Sequence, residues 1–106
     1  ALLVQRALLL MTKPGSRRIV YLPLVVRHDI PNLDAKVAKS LKSAIERKLG
    51  TRPEIYGTPL RGTIKGYWKL RAGDWRVVYL ITISEVIICL IAHRREAYRL
   101  AERRLA

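Results

Sequence analysis

The sequence predicts an α+β fold, in which a small antiparallel sheet, mostly a meander, carries helices packed on one of its faces. Three observations lead to this class: a helical repeat of apolar residues near the middle of the chain, three strand-like segments after it, and a second helical stripe at the end. The chain has 106 residues, half of them hydrophobic, which suits a single domain whose core needs no disulfide. This order of elements is typical of helices stacked on a sheet.

The first half of the chain supplies one strand and one helix. Residues 17–26, RRIVYLPLVV, are rich in β-branched and aromatic residues, and Pro23 favours a strand at a sheet edge. Asp29 or Asp34 is the expected N-cap of the helix that follows. Apolar residues at four-residue intervals predict the helix, and Gly50 suits its C-terminal end; the repeating positions are Val37, Leu41, Ile45 and Leu49.

The second half is predicted to contain a loop, a three-stranded meander and a terminal helix. Two prolines and two glycines indicate a loop over residues 51–62. Gly73 provides the turn between the first two strands, which we expect, with the third, at residues 64–71, 75–83 and 85–92. A helix is predicted from Arg94 onward, with an apolar stripe of Ala97, Leu100, Ala101 and Leu105.

The first ten residues, ALLVQRALLL, are apolar and stand before Met11. A signal peptide is one interpretation, but no cleavage pattern of small residues follows, and TKPGSRR interrupts the apolar run. We therefore expect residues 1–16 to be an N-terminal extension, with Met11 as an alternative start, and residues 17–106 to be one domain.

Cysteine usage favours a reducing, cytoplasmic location. The single cysteine, Cys89, makes no internal disulfide and is expected to be a small buried apolar side chain. The chain contains no run of about 18 apolar residues, so no membrane span is predicted.

No cofactor or metal site is predicted, because His28 and His93 stand far apart without a cluster of carboxylates.

Charge is the strongest compositional feature of the chain. Lysine and arginine total 21 against 8 acidic residues, a net charge of +13. Residues 1–50 hold 10 basic and 3 acidic residues, and the remainder holds 11 and 5, so the excess belongs to the folded body. A charge this high repels itself, which favours a nucleic acid or an acidic protein as partner over a merely solvated basic surface.

Alternation along the predicted strands concentrates cations on one sheet face. Trp68 and Leu70 point to one side, and Lys69 and Arg71 point to the other with Tyr67. Arg76 comes just after the turn and lies close to that strand. Cations placed together repel one another, so the patch favours a bound polyanion, although an acidic protein would also fit it.

The segment HRREAY adds a second group of polar residues at the end of the last strand. His93 ends the strand, Arg94 and Arg95 follow, and Tyr98 lies in the first turn of the terminal helix. Tyr98 is offset by about 100 degrees from the apolar stripe, so it can lean over the sheet edge. Taken alone it suits a half-packed structural tyrosine, but the neighbouring cations favour a functional one.

Together these segments resemble the RelE/ParE toxin superfamily of type II toxin–antitoxin systems. The resemblance covers residues 19–106 and rests on PLRG, GYWKLRAGDWRVVY and IAHRREAYRLA, with the helix DIPNLDAKVAKSLKSAIERKL in the matching place. It implies a RelE-like fold and an acidic, RelB-like antitoxin that neutralises the toxin. RelE-type members cut messenger RNA on the ribosome, whereas ParE-type members block DNA gyrase.

The resemblance implies specific roles for residues of this chain. The catalytic group is expected to comprise Lys69, Arg71, Arg76, His93, Arg94 and Tyr98, and the RNA-binding group Arg61, Lys65, Tyr67 and Arg95. The RelE pattern has a second sheet lysine where this chain has Tyr67, with Lys65 as a possible substitute, and His93 and Arg94 stand where other members carry arginines.

The predicted reaction is attack of a ribose 2′-OH on the adjacent phosphorus, without a metal or other cofactor. Arg71, Arg76 and Arg94 would stabilise charge on the phosphate. Tyr98 or His93 would orient or deprotonate the 2′-OH, Lys69 would neutralise charge or protonate the leaving oxygen, and Tyr67 would stack on a base.

Partners and alternatives follow from the same resemblance. The expected partners are the antitoxin, messenger RNA, the ribosome and, only through the toxin–antitoxin complex, operator DNA. A ParE-like gyrase inhibitor without nuclease activity is the first alternative, and a basic nucleic-acid-binding module without catalysis is the second. The cations together with Tyr98 favour the nuclease.

Overall fold

The computed structural model describes residues 16–106, which form a five-stranded sheet with helices. The strands are β1 Arg18–Tyr21, β2 Thr58–Pro59, β3 Trp68–Ala72, β4 Trp75–Ile81 and β5 Glu85–His93. Their spatial order is β1-β5-β4-β3-β2. The predicted α+β class is confirmed, and the expected extension, Ser16 apart, lies outside the described residues, as do Met11 and the apolar run before it.

The sheet is mixed rather than wholly antiparallel. Strands β3, β4 and β5 form the predicted meander, and β2 adds an antiparallel edge. Strand β1 lies at the other edge, as Pro23 suggested, but it runs parallel to β5. The strand predicted over residues 17–26 ends at Tyr21, because Pro23 has no N–H for a ladder and the chain turns there into a helical segment.

The first helix follows two short helical turns, Val25–Asp29 and Ile30–Asn32. Helix α1, Ala35–Ala44, begins where the Asp34 side chain accepts a hydrogen bond of 2.9 Å from the Lys36 amide. Asp34, and not Asp29, is therefore the N-cap. The helical path continues through Ile45–Leu49 with wider, π-type hydrogen bonding and ends at Gly50.

Two further helices complete the fold. Helix α2, Pro53–Tyr56, and strand β2 lie within the segment predicted to be a loop. Helix α3, Ala97–Leu105, is the predicted terminal helix and begins three residues later than expected. No helix in the range 16–106 is both long and apolar enough to span a bilayer.

The helices lie on both faces of the sheet, so the prediction of a single covered face was wrong. On one face, Leu41, Ile45 and Leu49 from the first helix pack against Leu70, Val77, Tyr79, Val86 and Ile88. On the other, Ala97 and Ala101 of α3 pack against Val78, Leu90, Ala92, Leu60 and Ile64. The physical reason is visible in β5, where Val86 and the run from Ile88 to Ala92 are buried, and apolar residues on both sides of a strand require a cover on both sides.

A β-bulge at Cys89 changes which side chains of β5 face each layer. Tyr79 pairs with Ile88 and Val78 pairs with Leu90, so Cys89 is an extra residue in the ladder. Before the bulge the even-numbered residue Ile88 faces α1, and after it the odd-numbered Ile91 does. Every side chain beyond Cys89 is thereby moved to the face opposite the one that simple alternation gives.

A buried ion pair joins the two layers at the edge of β5 that β1 leaves uncovered. The Arg104 guanidinium donates to both carboxylate oxygens of Asp29 at 2.8 and 2.9 Å, and Asp29 also accepts from the Ile91 amide at 3.0 Å. Arg104 donates further to the Cys89 carbonyl at 3.2 Å. The pair therefore provides hydrogen-bond partners for the Ile91 amide and the Cys89 carbonyl at the uncovered edge of β5. It also links α3 to the segment before α1.

Candidate functional site

A small cavity between the sheet and α3 brings together four polar side chains from three segments. Lys69 of β3, Arg76 of β4, and Arg94 and Tyr98 near the start of α3 line a space of about 80 Å³. Its apolar wall consists of Leu60, Ile64, Val78, Ala97 and Ala101. An apolar floor with three cations and a phenol at the rim suits a small anionic group.

Strand register explains why Lys69 and Arg76 meet. Lys69 pairs with Val78 and Arg71 pairs with Arg76, so both members of each pair point to the α3 face. Their neighbours Leu70 and Val77 point the other way into the core. The alternation predicted from the sequence is thus the one that the structure has on β3 and β4.

The β3–β4 turn holds the two arginines of the cavity. The Arg76 guanidinium donates to the carbonyls of Gly73 and Trp75 at 2.9 and 2.8 Å. The Arg94 amide donates to the Asp74 carbonyl at 2.8 Å, and Arg94 Nε lies 3.7 Å from Asp74 Oδ1. Gly73 has a φ of +60°, which a glycine adopts without strain and which the tight turn requires.

Tyr98 stands over the mouth of the cavity in the first turn of α3. Its side chain is 55% exposed, so the phenol is available to a ligand. The loop that follows Leu60 approaches it, since a Cβ at Gly62 would lie 3.6 Å from the Tyr98 hydroxyl. Thr63 donates to Glu102 at 2.8 Å and so fixes this loop against α3. Arg61, at the start of the loop, is exposed and directly follows Leu60 of the cavity wall.

The remaining predicted site residues lie outside the cavity lining. Arg71, Lys65 and Arg95 are exposed, and Arg71 projects from the same face as Lys69. Tyr67 is half-buried and packs against the apolar cluster under α3. Its ring is therefore held by the core, which leaves less of it for stacking on a base than the sequence suggested.

His93 is separated from the cavity. Its ring lies edge-on to Trp75, with centroids 5.5 Å apart and planes at 82°, on the α1 side of the sheet. The Arg95 amide is 3.3 Å from His93 Nδ1. The bulge at Cys89 is the cause, because without the extra residue His93 would have faced α3.

The pKa of one further titratable group, the Cys89 thiol, is set by burial rather than by the cavity. Burial raises the pKa of the Cys89 thiol to about 11, although the nearby Leu80 backbone and Arg104 act in the opposite direction. The thiol is therefore protonated at neutral pH and is not a nucleophile.

Among residues 16–106, no three His, Cys, Asp or Glu side chains lie close enough together to hold a metal ion.

Neither Asp74 nor the Asp29–Arg104 pair was predicted from the sequence. Asp74 stands next to Gly73 in the turn, and a carboxylate between two arginine-bearing strands was the available signal. Asp29 was considered only as a helix cap. Its partner lies 75 residues away, and nothing local in the sequence indicates that contact.

Comparisons with known proteins identify the family of this chain. The family model "ParE toxin of type II toxin-antitoxin system, parDE" matches residues 13–98. Toxin RelE of Mycobacterium tuberculosis (strain ATCC 25618 / H37Rv) is 35% identical over 74 residues, which are 68% of this chain and 76% of the relative.

Two solved structures share the fold. The toxin–antitoxin complex RelBE2 from Mycobacterium tuberculosis contains a chain with a TM-score of 0.72 and 24% identity, covering 77% of this chain and 95% of that one. YafQ from Escherichia coli strain BL21(DE3) has a TM-score of 0.51 and 20% identity, with 77% and 98% covered. The chain therefore belongs to the RelE/ParE superfamily, whose members are toxins of type II toxin–antitoxin systems.

Proposed function

We propose that this toxin is an endoribonuclease that cleaves messenger RNA on the ribosome and so inhibits translation. The observation that carries the proposal is the convergence of Lys69, Arg76, Arg94 and Tyr98 on one cavity. Three cations around a small apolar floor suit a phosphodiester, and an exposed phenol above them suits the adjacent ribose. The cytoplasm is the compartment in which this substrate occurs.

The proposed reaction forms a bond between the ribose 2′-oxygen and phosphorus and breaks the bond from phosphorus to the 5′-oxygen. The Tyr98 hydroxyl accepts a hydrogen bond from the 2′-OH and directs the 2′-oxygen in line with the leaving group. The proton of the 2′-OH passes to solvent as the new bond forms. Arg76 and Arg94 stabilise the charge that develops on the phosphate oxygens, and Arg71, on the same sheet face outside the lining, adds positive charge. Lys69 donates a proton to the departing 5′-oxygen, which leaves a 2′,3′-cyclic phosphate and a 5′-OH.

This assignment gives Tyr98, rather than His93, the role at the 2′-OH. His93 lies on the far side of the sheet against Trp75, whereas Tyr98 lines the cavity. Arg61, Lys65 and Arg95 are exposed cations outside the cavity lining, and the proposal assigns them to contacts with the RNA backbone. Tyr67 supports the floor of the site and stacks with a base only at its exposed edge.

The decisive experiment compares Arg76→Ala and Tyr98→Phe with wild type for growth arrest and for cleavage of translated transcripts. Loss of one such charged donor typically costs about 3 kcal/mol in activation free energy, which is on the order of a hundredfold in rate. Arg99→Ala is the matched control, because Arg99 is an exposed α3 cation paired with Glu96 outside the cavity. Undiminished cleavage by both site variants contradicts the proposal, as does cleavage at a 2′-deoxy nucleotide.

A partner that neutralises the toxin is part of the proposal. The net charge of +13 and the RelBE2 complex of the similar structure both support an acidic antitoxin as that partner. Contact with operator DNA would then occur only through the toxin–antitoxin complex. Co-expression with an acidic, RelB-like antitoxin is expected to restore growth.

The second candidate function is inhibition of DNA gyrase. The family model that matches residues 13–98 is the ParE model, and this is the observation in its favour. A gyrase inhibitor requires neither the cation cluster nor an exposed phenol at a cavity. Supercoiling by purified gyrase with added protein separates the two candidates: inhibition with intact transcripts selects the ParE-like function. If the protein binds RNA in a salt-dependent way but neither cleaves transcripts nor inhibits gyrase, it is a nucleic-acid-binding module without catalysis.

A further inference from the structure

The turn between β3 and β4 does more than connect two strands. Its carbonyls at Gly73 and Trp75 accept from the Arg76 guanidinium, and its carbonyl at Asp74 accepts from the Arg94 amide. Arg94 directly follows His93, whose partner across the ladder is Trp75, so Asp74 and Arg94 are next in register. One turn thereby sets the position of two of the three cavity cations.

Asp74 is also the carboxylate that faces a cavity arginine. Arg94 Nε lies 3.7 Å from Asp74 Oδ1, and both side chains are more than half exposed. In the described chain the other carboxylates in ion pairs with lysine or arginine hold cations elsewhere: Glu54 with Arg17, Glu85 with Arg18, Glu96 with Arg99, and Asp29 with Arg104. A negative charge beside a site for a polyanion opposes binding, so its presence there requires a reason.

We propose that Asp74 is a positioning residue, which holds the Nε edge of Arg94 and leaves the two terminal amino groups for an anion in the cavity. Guanidinium is a planar fork with five donors, so the Asp74 carboxylate, at a distance of ion pairing rather than hydrogen bonding, attracts the Nε edge and favours one direction for the other donors. Arg94 comes directly after β5, in the turn before α3, and without that contact its side chain has more freedom to leave the cavity. This inference rests on the proposed nuclease function and adds a residue to it.

The test is Asp74→Asn, which keeps the size of the side chain and removes its charge. We expect kcat for transcript cleavage to fall about tenfold, because misplacement of a charge-stabilising group weakens the transition state. KM is expected to stay unchanged or to fall, since a repulsive charge has left the site. The midpoint of thermal unfolding is expected to be unchanged, because exposed ion pairs contribute little to stability.

Two controls separate positioning from a general effect of charge. Glu96→Gln removes a carboxylate from a pair of the same length, 3.7 Å to Arg99, outside the cavity, and is expected to leave kcat unchanged. Adding Asp74→Asn to Arg94→Ala is expected to cause no further loss of kcat, because Asp74 acts through Arg94. An unchanged kcat in Asp74→Asn, or an equal loss in the Arg94→Ala background, overturns the proposal.

A measurement on the free protein keeps the inference separate from the nuclease proposal. Solvent exchange of the Arg94 Nε–H proton, followed by ¹⁵N nuclear magnetic resonance, is expected to be faster in Asp74→Asn and unchanged in Glu96→Gln. If wild type cleaves no RNA but this exchange responds, the nuclease proposal fails and the contact stands. If the exchange does not respond, Asp74 does not position Arg94, whatever the protein cleaves.

Discussion

The two faces of the sheet differ in what they bury. The α1 face packs leucine, isoleucine, valine and a buried tyrosine into the larger apolar cluster. The α3 face packs alanines and fewer large side chains, and its outer part carries Lys69, Arg76 and Arg94 around a cavity. The first face thus buries the larger apolar cluster, whereas the second carries cations that repel one another.

The ion pairs of the two regions show the same contrast. In the Asp29–Arg104 pair the side chains are 4% and 19% exposed, and it has two short hydrogen bonds, whereas the Asp74–Arg94 pair is open to solvent. Removing one partner of a buried pair leaves a charge without compensation, while an exposed pair is worth little to stability. We therefore expect the first pair to govern folding and the second to govern activity.

The largest effect is expected for Arg104→Ala. It leaves the Asp29 carboxylate buried with only the Ile91 amide and the long contact to His28 as partners. Loss of one member of such a pair costs about 3–5 kcal/mol, so the free energy of unfolding in urea should fall by that order. Arg103→Ala, an exposed neighbour, is the control and should change it by less than about 0.5 kcal/mol. Equal effects of the two variants would contradict the difference between the regions.

Adjacent residues of β3 test the two faces directly. Leu70 is 2% exposed on the α1 side, and Leu70→Ala is expected to cost about 2–5 kcal/mol of stability. Lys69→Ala, on the α3 side, should leave stability within about 0.5 kcal/mol of wild type while it lowers transcript cleavage. Urea denaturation and cleavage assays on both variants measure the two effects. A stability loss in Lys69→Ala as large as that in Leu70→Ala would remove the distinction.

The strands differ in how well the sequence predicted which face of the sheet their side chains point to. On β3 and β4 the period of two placed Lys69 and Arg76 on one face and Leu70 on the other, because no irregularity intervenes. On β5 the bulge at Cys89 reversed the phase and carried His93 away, and a single inserted residue leaves no local mark in an apolar run. The second covered face was predictable, since the run VIICLIA has no polar alternation and indicates burial on both sides.

Contacts between distant segments could not be predicted from the sequence, for a different reason. Asp29 meets Arg104 only because the end of β1 leaves part of β5 uncovered, and the length of β1 depends on Pro23. The cavity was predictable in its residues but not in its volume, which depends on how closely the alanines of α3 approach Val78 and Leu90.

A smaller effect is expected for Tyr79→Phe on the α1 face. The Tyr79 hydroxyl donates a buried hydrogen bond of 2.6 Å to the Pro53 carbonyl, and its loss should cost about 1–2 kcal/mol, since that carbonyl is left without this donor. Burial, and secondarily the Glu54 carboxylate, raises the pKa of Tyr79 above its usual value of 10.0. The folded state thus retains the proton, so this contribution is complete below about pH 10 and is lost as pH rises further.

Unfolding measured from pH 8 to 11 checks this sign. Wild type should lose stability above pH 10 more steeply than Tyr79→Phe. The variant should retain some alkaline loss, because burial also raises the pKa of Tyr21. Identical pH profiles for the two proteins would show that the Tyr79 proton is not linked to folding.

Among the buried side chains, the smallest loss of stability is expected at Cys89, which lies between the two regions at the bulge. The residue is 1% exposed, and burial raises the pKa of its thiol to about 11, so the sulfur is shielded from solvent and little thiolate is present at pH 8. Iodoacetamide should alkylate it only after unfolding, with Arg104→Ala reacting faster because the edge of β5 opens more often. Cys89→Ala should cost about 1 kcal/mol and leave transcript cleavage intact, since the thiol donates only a weak hydrogen bond to Ile87 and faces no substrate. Rapid alkylation of native wild type would mean that the bulge opens freely, and the assignment of this edge to the stable region would then be wrong.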